Sequence, residues 1–70
     1  ILVPADVLAG LKAVQESGET DMLDRQAVIR LCFRFGFADA AFWVEANRTA
    51  YANGIFAGFA SINAEGADDD

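Results

Sequence analysis

Apolar residues recur at helical spacing near the start of the chain. Over residues 1–18 they form one stripe opposite polar positions, made of Val7, Leu8, Leu11 and Val14. This spacing places them on one face of an α-helix. Pro4 suits the first turn, where no backbone N–H is needed, and Gly18 suits the left-handed residue that ends a helix. The pattern predicts a first helix across this segment.

A second helical pattern covers residues 25–35. Its core stripe consists of Val28, Leu31, Cys32 and Phe35. Asp24 is placed to cap the first turn, because its carboxylate can accept a free backbone N–H. Gly36 is placed to end the helix, and Phe37 supplies the apolar contact that often follows such an end. The sequence predicts a helix between these two signals, joined to the first by a short polar turn.

The longest apolar stretch is predicted to form the third helix, over residues 38–60. Its core stripe is Ala41, Val44, Tyr51, Ile55 and Phe59, crossed by the polar Arg48. Asn53 and Gly54 are its weakest point, since this pair also favours a turn. We therefore expect an all-α fold of three helices with a long C-terminal helix, which would break, if anywhere, at this pair.

Helices two and three carry more apolar surface than one three-helix unit can bury. Small residues recur every fourth position, which lets another helix approach closely. Large apolar residues flank them and form a second strip on helix two. The predicted interface is Ile29, Phe33, Phe42, Trp43, Ala46, Ala50, Gly54, Phe56 and Gly58. Unmatched apolar faces usually mark a contact with another molecule.

Composition favours completion of the core by a second copy. The chain has 70 residues, of which 54% are hydrophobic, and one Cys. A core of this size supplies only a few kcal/mol, and a single Cys cannot form an intrachain disulfide. We expect one helical domain over residues 1–60, an acidic flexible tail over 61–70, and a homo-oligomer.

Catalytic and metal-binding patterns are weak. The chain has no His, and Cys32 falls on the core stripe of helix two, where a thiol packs without reacting. Asp21 and Asp24 fit capping better than acid–base chemistry. With Glu19 they offer three carboxylates, but the turn is too short for a helix–loop–helix calcium site. We expect no enzyme, no cofactor and no metal.

Three arginines on helix two form a candidate anion site. Arg30 and Arg34 lie one turn apart, and Arg25 lies one turn earlier. Guanidinium groups can clamp a phosphate or carboxylate. The ordinary alternative is a solvated face paired with acids such as Asp24 or Glu45. A small anionic ligand captured at an oligomer interface is therefore an alternative function.

Net charge narrows the range of partners. At −6 the chain lacks the Lys and Arg that direct binding to nucleic acid or an anionic membrane requires. No apolar run reaches the length of a membrane span. The acids could mimic nucleic acid, although they are clustered only in the tail and also serve solubility. A free Cys without a secretion signal fits a reducing cytoplasm.

The chain resembles a known family at positions spread from Val7 to Phe59. They are the run G-E-T-D-M-L-D at 18–24, Val28, Arg30, Leu31, Gly36-Phe37, Val44-Glu45, Asn47-Arg48, Tyr51 and Ile55-Phe56. Together they resemble domain of unknown function 5049, a family of very short phage and prophage proteins. Asp21 departs from the more usual Asn, and the Gly-containing end of helix three departs from bulkier relatives.

The resemblance implies a viral or mobile-element origin and transfers no catalytic residue. Short phage proteins without enzymatic signatures often inhibit host machinery or defence by occupying a surface, so the resemblance implies a role of this kind. The leading hypothesis is a non-enzymatic interaction protein that binds and inhibits or modulates a host protein.

Overall fold

The computed structural model describes residues 1–61 and contains four helices and two short strands. The elements are β1 (Leu2–Val3), α1 (Ala5–Ser17), α2 (Arg25–Arg34), α3 (Ala38–Ala46), α4 (Arg48–Ala57) and β2 (Ala60–Ser61). The expected all-α class is confirmed. The expected count of three helices is wrong, because the third predicted helix is two separate helices.

The break in the predicted long helix lies at Asn47. Its backbone leaves the helical region, with φ −123° and ψ 60°. Its backbone N–H and its side-chain amide both donate to the Trp43 carbonyl, at 2.9 and 3.0 Å. The Asn47 carbonyl then accepts the Tyr51 N–H at 2.8 Å and starts α4. Because this local bonding ends one helix and begins the next, the chain turns here, and Asn53–Gly54 stays helical.

The predicted ends of α2 are confirmed. Asp24 Oδ1 accepts the Ala27 N–H at 3.2 Å, as expected of a cap. At the other end Gly36 has a φ of 89°, which a side chain would strain. Phe37 donates its N–H to the Cys32 carbonyl at 2.7 Å, which closes a Schellman-type end. Local sequence signals therefore fix both the start and the end of this helix.

The core is built from the predicted stripes of all the helices. Its buried members include Val7, Leu11, Val14, Val28, Leu31, Cys32, Ala41, Val44 and Tyr51. α1 packs against both α2 and α3. Gly10 makes this possible, because a Cβ there would collide with the Cβ of Ala40 on α3. The glycine that weakens α1 as an isolated helix is therefore required by the packing.

A parallel pair of two-residue strands joins the two ends of the described chain. Leu2 lies opposite Ala60, and Val3 lies opposite Ser61. The sequence predicts a first helix from residue 1, but Leu2 and Val3 form β1 and α1 begins at Ala5, after Pro4. Val3 is fully buried. Ser61 belongs to the folded part, and the rest of the predicted tail lies outside the described residues. No helix within residues 1–61 combines the length and apolar character of a membrane span.

Candidate interaction surfaces

Two aromatic rings form an exposed pair between α2 and α3. Phe33 and Phe42 are 46% and 58% exposed. Their ring centroids lie 5.3 Å apart with an interplanar angle of 86°, which is the favourable edge-to-face geometry. Each ring holds the other in place while leaving apolar surface open to solvent. We call these two residues the aromatic pair.

Ile29, predicted beside Phe33 in the interface, lies in the core instead. It is 8% exposed and belongs to the main hydrophobic cluster. α2 is packed by both α1 and α3, so its buried surface is wider than one stripe. In this fold Ile29 is therefore not available to a partner.

The small-residue face of the predicted long helix is filled by the chain itself. The ring of Phe59 lies directly on Gly54, where an added Cβ would collide with it. Trp43 is half-buried and meets Phe59 edge-to-face, with centroids 6.1 Å apart. Phe59 also lies against Tyr51 at 5.9 Å. Gly54 is one of the small residues at which we expected a second helix to dock, and it is covered instead by an aromatic side chain of the same chain.

The other small residues do not share one helix face. Ala46 is exposed at the end of α3, whereas Ala50 is half-buried on α4. Gly58 ends α4 with a φ of 93°. The break at Asn47 separates these positions, which a continuous helix would have aligned. The expected helix-docking stripe is therefore absent from this part of the chain.

A second exposed surface is the groove between the turn before α2 and the side of α4. It has a volume of about 230 Å³ and is lined by Leu23, Arg25, Arg48, Tyr51, Ala52, Ile55 and Phe56. We call it the arginine groove. Phe56 is 87% exposed and Leu23 is 66% exposed. Two guanidinium groups and two exposed apolar side chains therefore share one site.

The sequence patterns assigned Arg25 to the candidate anion site and Phe56 to the predicted apolar interface. They assigned Leu23 and Arg48 to neither site. Two signals were present: an apolar Leu in a polar turn, and an Arg that crosses an apolar stripe. Neither signal predicts that the two residues meet, because they belong to segments far apart in sequence.

The three arginines of the predicted anion site are divided between two places. Arg30 and Arg34 line a cavity of about 480 Å³ that also contains Glu19 and Asp24. Arg34 Nη1 lies 3.2 Å from Glu19 Oε1, an exposed ion pair. Arg25 instead donates from Nη1 to the Val44 carbonyl at 3.4 Å. The two carboxylates beside Arg30 and Arg34 weaken the attraction of that cavity for an anion.

The turn before α2 is fastened to α4 by Tyr51. The Tyr51 hydroxyl donates to the Met22 carbonyl, and the Leu23 N–H donates to Asp21 Oδ1 at 2.9 Å. Burial, with smaller effects of Cys32 and Asp21, raises the pKa of Tyr51 to about 12. The hydroxyl therefore stays protonated as a donor. These bonds fix the backbone beside the arginine groove.

The carboxylates considered for metal binding and the single thiol have other structural roles. Glu19 pairs with Arg34, while Asp21 and Asp24 accept backbone N–H groups. Cys32 is fully buried, and burial raises the pKa of its thiol. Among residues 1–61 no three His, Cys, Asp or Glu side chains are grouped closely enough to hold a metal ion.

These features define a small four-helix domain whose distinctive surfaces are an aromatic pair and an arginine groove. The chain belongs to the family described as Domain of unknown function (DUF5049), which matches residues 5–59. The match confirms the resemblance seen in the sequence and includes every helix. No curated protein and no solved structure matches the chain.

Proposed function

We propose that this chain is a non-enzymatic interaction protein that binds a host protein and acts by covering part of its surface. Two observations support this proposal. Cys32 is buried with a raised pKa, which disfavours its use as a nucleophile. The exposed groups that stand out are phenylalanine rings and arginines, which are residue types enriched at protein interfaces.

The aromatic pair carries the proposal. Two large rings in a fixed edge-to-face arrangement lose little side-chain entropy when a partner covers them. Leaving such rings half-exposed in water forgoes apolar burial worth about 25 cal/mol per Å². A chain of 70 residues has little stability to spare, so a retained exposed pair favours a contact that buries it.

The contact that buries the aromatic pair is proposed to be a second copy of the chain, which leaves the arginine groove open to the host protein. A two-fold dimer would place the pair of one copy against the pair of the other, since such an interface uses the same patch twice. Phe33 and Phe42 are the members of the predicted interface with the best geometry for this contact. We propose a homo-oligomer assembled through the aromatic pair.

The family resemblance supports a biological setting. It favours a phage or prophage origin, a cytoplasmic location in a bacterial or archaeal host, and a host defence protein as one target. Inhibition by occupying a surface requires no chemistry from the small protein.

Self-association is tested by measuring mass in solution across a range of concentrations. The wild-type chain is expected to form an oligomer, and Phe42→Ser is expected to shift it to monomer. Phe56→Ser is the matched control, because it removes an exposed Phe outside the aromatic pair. A wild-type protein that stays monomeric and stable would overturn the oligomer claim.

Partner binding is tested by capture from lysate of the native host, with identification of the captured protein. Capture must be lost with Phe42→Ser or with a groove variant such as Arg48→Gln to support the proposal. Equal capture by the folded variants would mean that neither surface is responsible. A change in the partner's activity on adding the purified chain would then establish inhibition or modulation.

Capture of a small anion at Arg30 and Arg34 is the weaker alternative. The ion pair to Glu19 and the nearby Asp24 argue against it. Titration with inorganic phosphate would revive it if binding were saturable and abolished by Arg30→Gln. Mimicry of nucleic acid has no specific support in the described residues.

A further inference from the structure

The arginine groove has a composition that contrasts with the charge of the chain. Arg25 is the first residue of α2 and Arg48 the first of α4, and both line the groove with no carboxylate among its lining residues. Neither forms an ion pair within the described residues, although the chain carries a net charge of −6. The residues that line the groove therefore carry two positive charges and no negative charge, on a protein that is acidic as a whole.

Apolar side chains complete the groove. Leu23 and Phe56 are exposed large hydrophobic residues, and Ile55 lies partly buried between the groove and the core. Burying such side chains against an apolar group of a ligand is favourable, because it removes their surface from water. A bare anion could use the guanidinium groups but would leave this apolar surface in water. The groove is therefore suited to an occupant that is both acidic and apolar.

The volume of the arginine groove further limits the kind of ligand that it can bind. Pockets for whole small ligands usually enclose about 300–1,000 Å³, and this groove is smaller and open. It accommodates one inserted side chain more readily than a complete ligand. Nucleic acid is disfavoured because it offers no aliphatic side chain and is repelled by the rest of the surface.

We propose that the arginine groove binds an acidic segment of a partner protein. One apolar side chain of the segment inserts between Leu23 and Phe56, while its carboxylates meet the guanidinium groups of Arg25 and Arg48. Charge-assisted bonds between guanidinium and carboxylate give this contact direction and strength. This inference rests on the proposed function, since it names the chemistry of the protein partner.

Hydrogen bonds hold parts of the arginine groove in place before a partner binds. The Tyr51 hydroxyl holds the Met22 carbonyl, next to Leu23, and the Leu23 N–H is held by Asp21. Arg25 is oriented by its bond to the Val44 carbonyl. Fixed groups lose less entropy on binding than mobile ones. The segment therefore meets a backbone already set in place.

The test is affinity selection of short random peptides on the purified full-length chain. Selected peptides are expected to be rich in Asp and Glu around one large apolar residue. Arg48→Gln should weaken their binding by about tenfold, the loss of one charge-assisted contact. Arg30→Gln is the matched control, because it removes the same charge beside a different cavity.

Two further measurements, and the selection itself, can overturn the proposal. Binding should weaken as salt rises from about 0.05 M to about 0.5 M, because screening acts on exposed charges. Binding that survives replacement of the apolar peptide residue by Ser would show bare charge attraction and would reject the inserted side chain. Selected peptides without acids, or equal binding by Arg48→Gln, would reject the groove as the site.

A final experiment tests whether acidic residues of the chain itself occupy the arginine groove. A variant with Glu65→Gln, Asp68→Asn, Asp69→Asn and Asp70→Asn is compared with the wild type. If peptides bind only this variant, the chain's own acids compete for the groove, and the claim of an outside partner fails. Peptide selection needs neither a host partner nor an oligomer, so its failure is distinguishable from failure of the proposed function.

Discussion

Tyr51 connects parts of the chain that are distant in sequence. Its ring lies in the core beside Phe59, and its hydroxyl reaches the Met22 carbonyl in the turn before α2. The apolar stripe predicted the buried ring. The hydroxyl bond was not predictable, because it depends on how α4 returns across the turn after the break at Asn47. One residue therefore serves both the core and the wall of the arginine groove.

Tyr51→Phe should change both stability and its dependence on pH. Loss of the bond to Met22 should cost about 1 kcal/mol near neutral pH. In the wild type the folded pKa of about 12 exceeds the unfolded value near 10, so Tyr51 stabilises the fold fully below about pH 10. Ionisation of the buried hydroxyl lowers the stability by up to about 2–3 kcal/mol as the pH rises from about 10 towards 12, because burial disfavours the phenolate.

Urea unfolding at about pH 8 and about pH 11.5 measures this difference. Titration of the other groups is common to both proteins, so the contrast isolates Tyr51. The phenylalanine variant should lose less stability between the two pH values than the wild type. Parallel losses in the two proteins would contradict the raised pKa.

At the scale of elements, the packing of α4 decides which predicted surfaces exist. The sequence favoured a continuous helix with a row of small residues for another helix to meet. The break at Asn47 and the return of Phe59 remove that row, because the ring covers Gly54. Among the large side chains of the predicted interface, the aromatic pair on α2 and α3 and Phe56 at the groove remain exposed. Packing within the chain therefore buries part of the predicted interface.

The contact between Gly54 and Phe59 can be measured by a double-mutant cycle. Ala is favoured over Gly inside a helix by about 1 kcal/mol, but here its Cβ meets the Phe59 ring. Gly54→Ala should therefore destabilise the wild type by about 1–3 kcal/mol. In a Phe59→Ala background the same change should be neutral or stabilising. Equal effects in both backgrounds, measured by urea unfolding, would exclude the contact.

At the scale of the whole molecule, the strand pair joins the ends of the described chain. β1 and β2 carry only two residues each, yet Val3 is fully buried against the helices. Such short segments give no reliable periodic signal in the sequence. Their pairing exists because the helices bring the two segments together.

Val3→Ala should destabilise the fold by about 2 kcal/mol, because it removes buried apolar atoms and leaves a small cavity. Leu2→Ala is the matched control in the same strand, since Leu2 is exposed and should change stability by less than about 0.5 kcal/mol. Thermal or urea unfolding compares the two. Equal costs would show that Val3 is not packed as described.

The sequence by itself determined the helical class, both ends of α2 and most of the core. Asp24 and Gly36 act through bonds to near neighbours, so they needed no knowledge of the rest of the chain. The stripes of α1 and α2 predicted the burial of Val14 and Val28 because helical spacing places such residues on one face.

Only the tertiary structure decided which apolar and charged residues stay exposed. Ile29 is buried because α2 has neighbours on two sides, and Gly54 is covered because Phe59 folds back onto it. Arg25 and Arg48 meet at one groove although 22 positions separate them in the sequence. Such contacts depend on how helices pack across long separations. A pattern read along the chain specifies each face but not its partner.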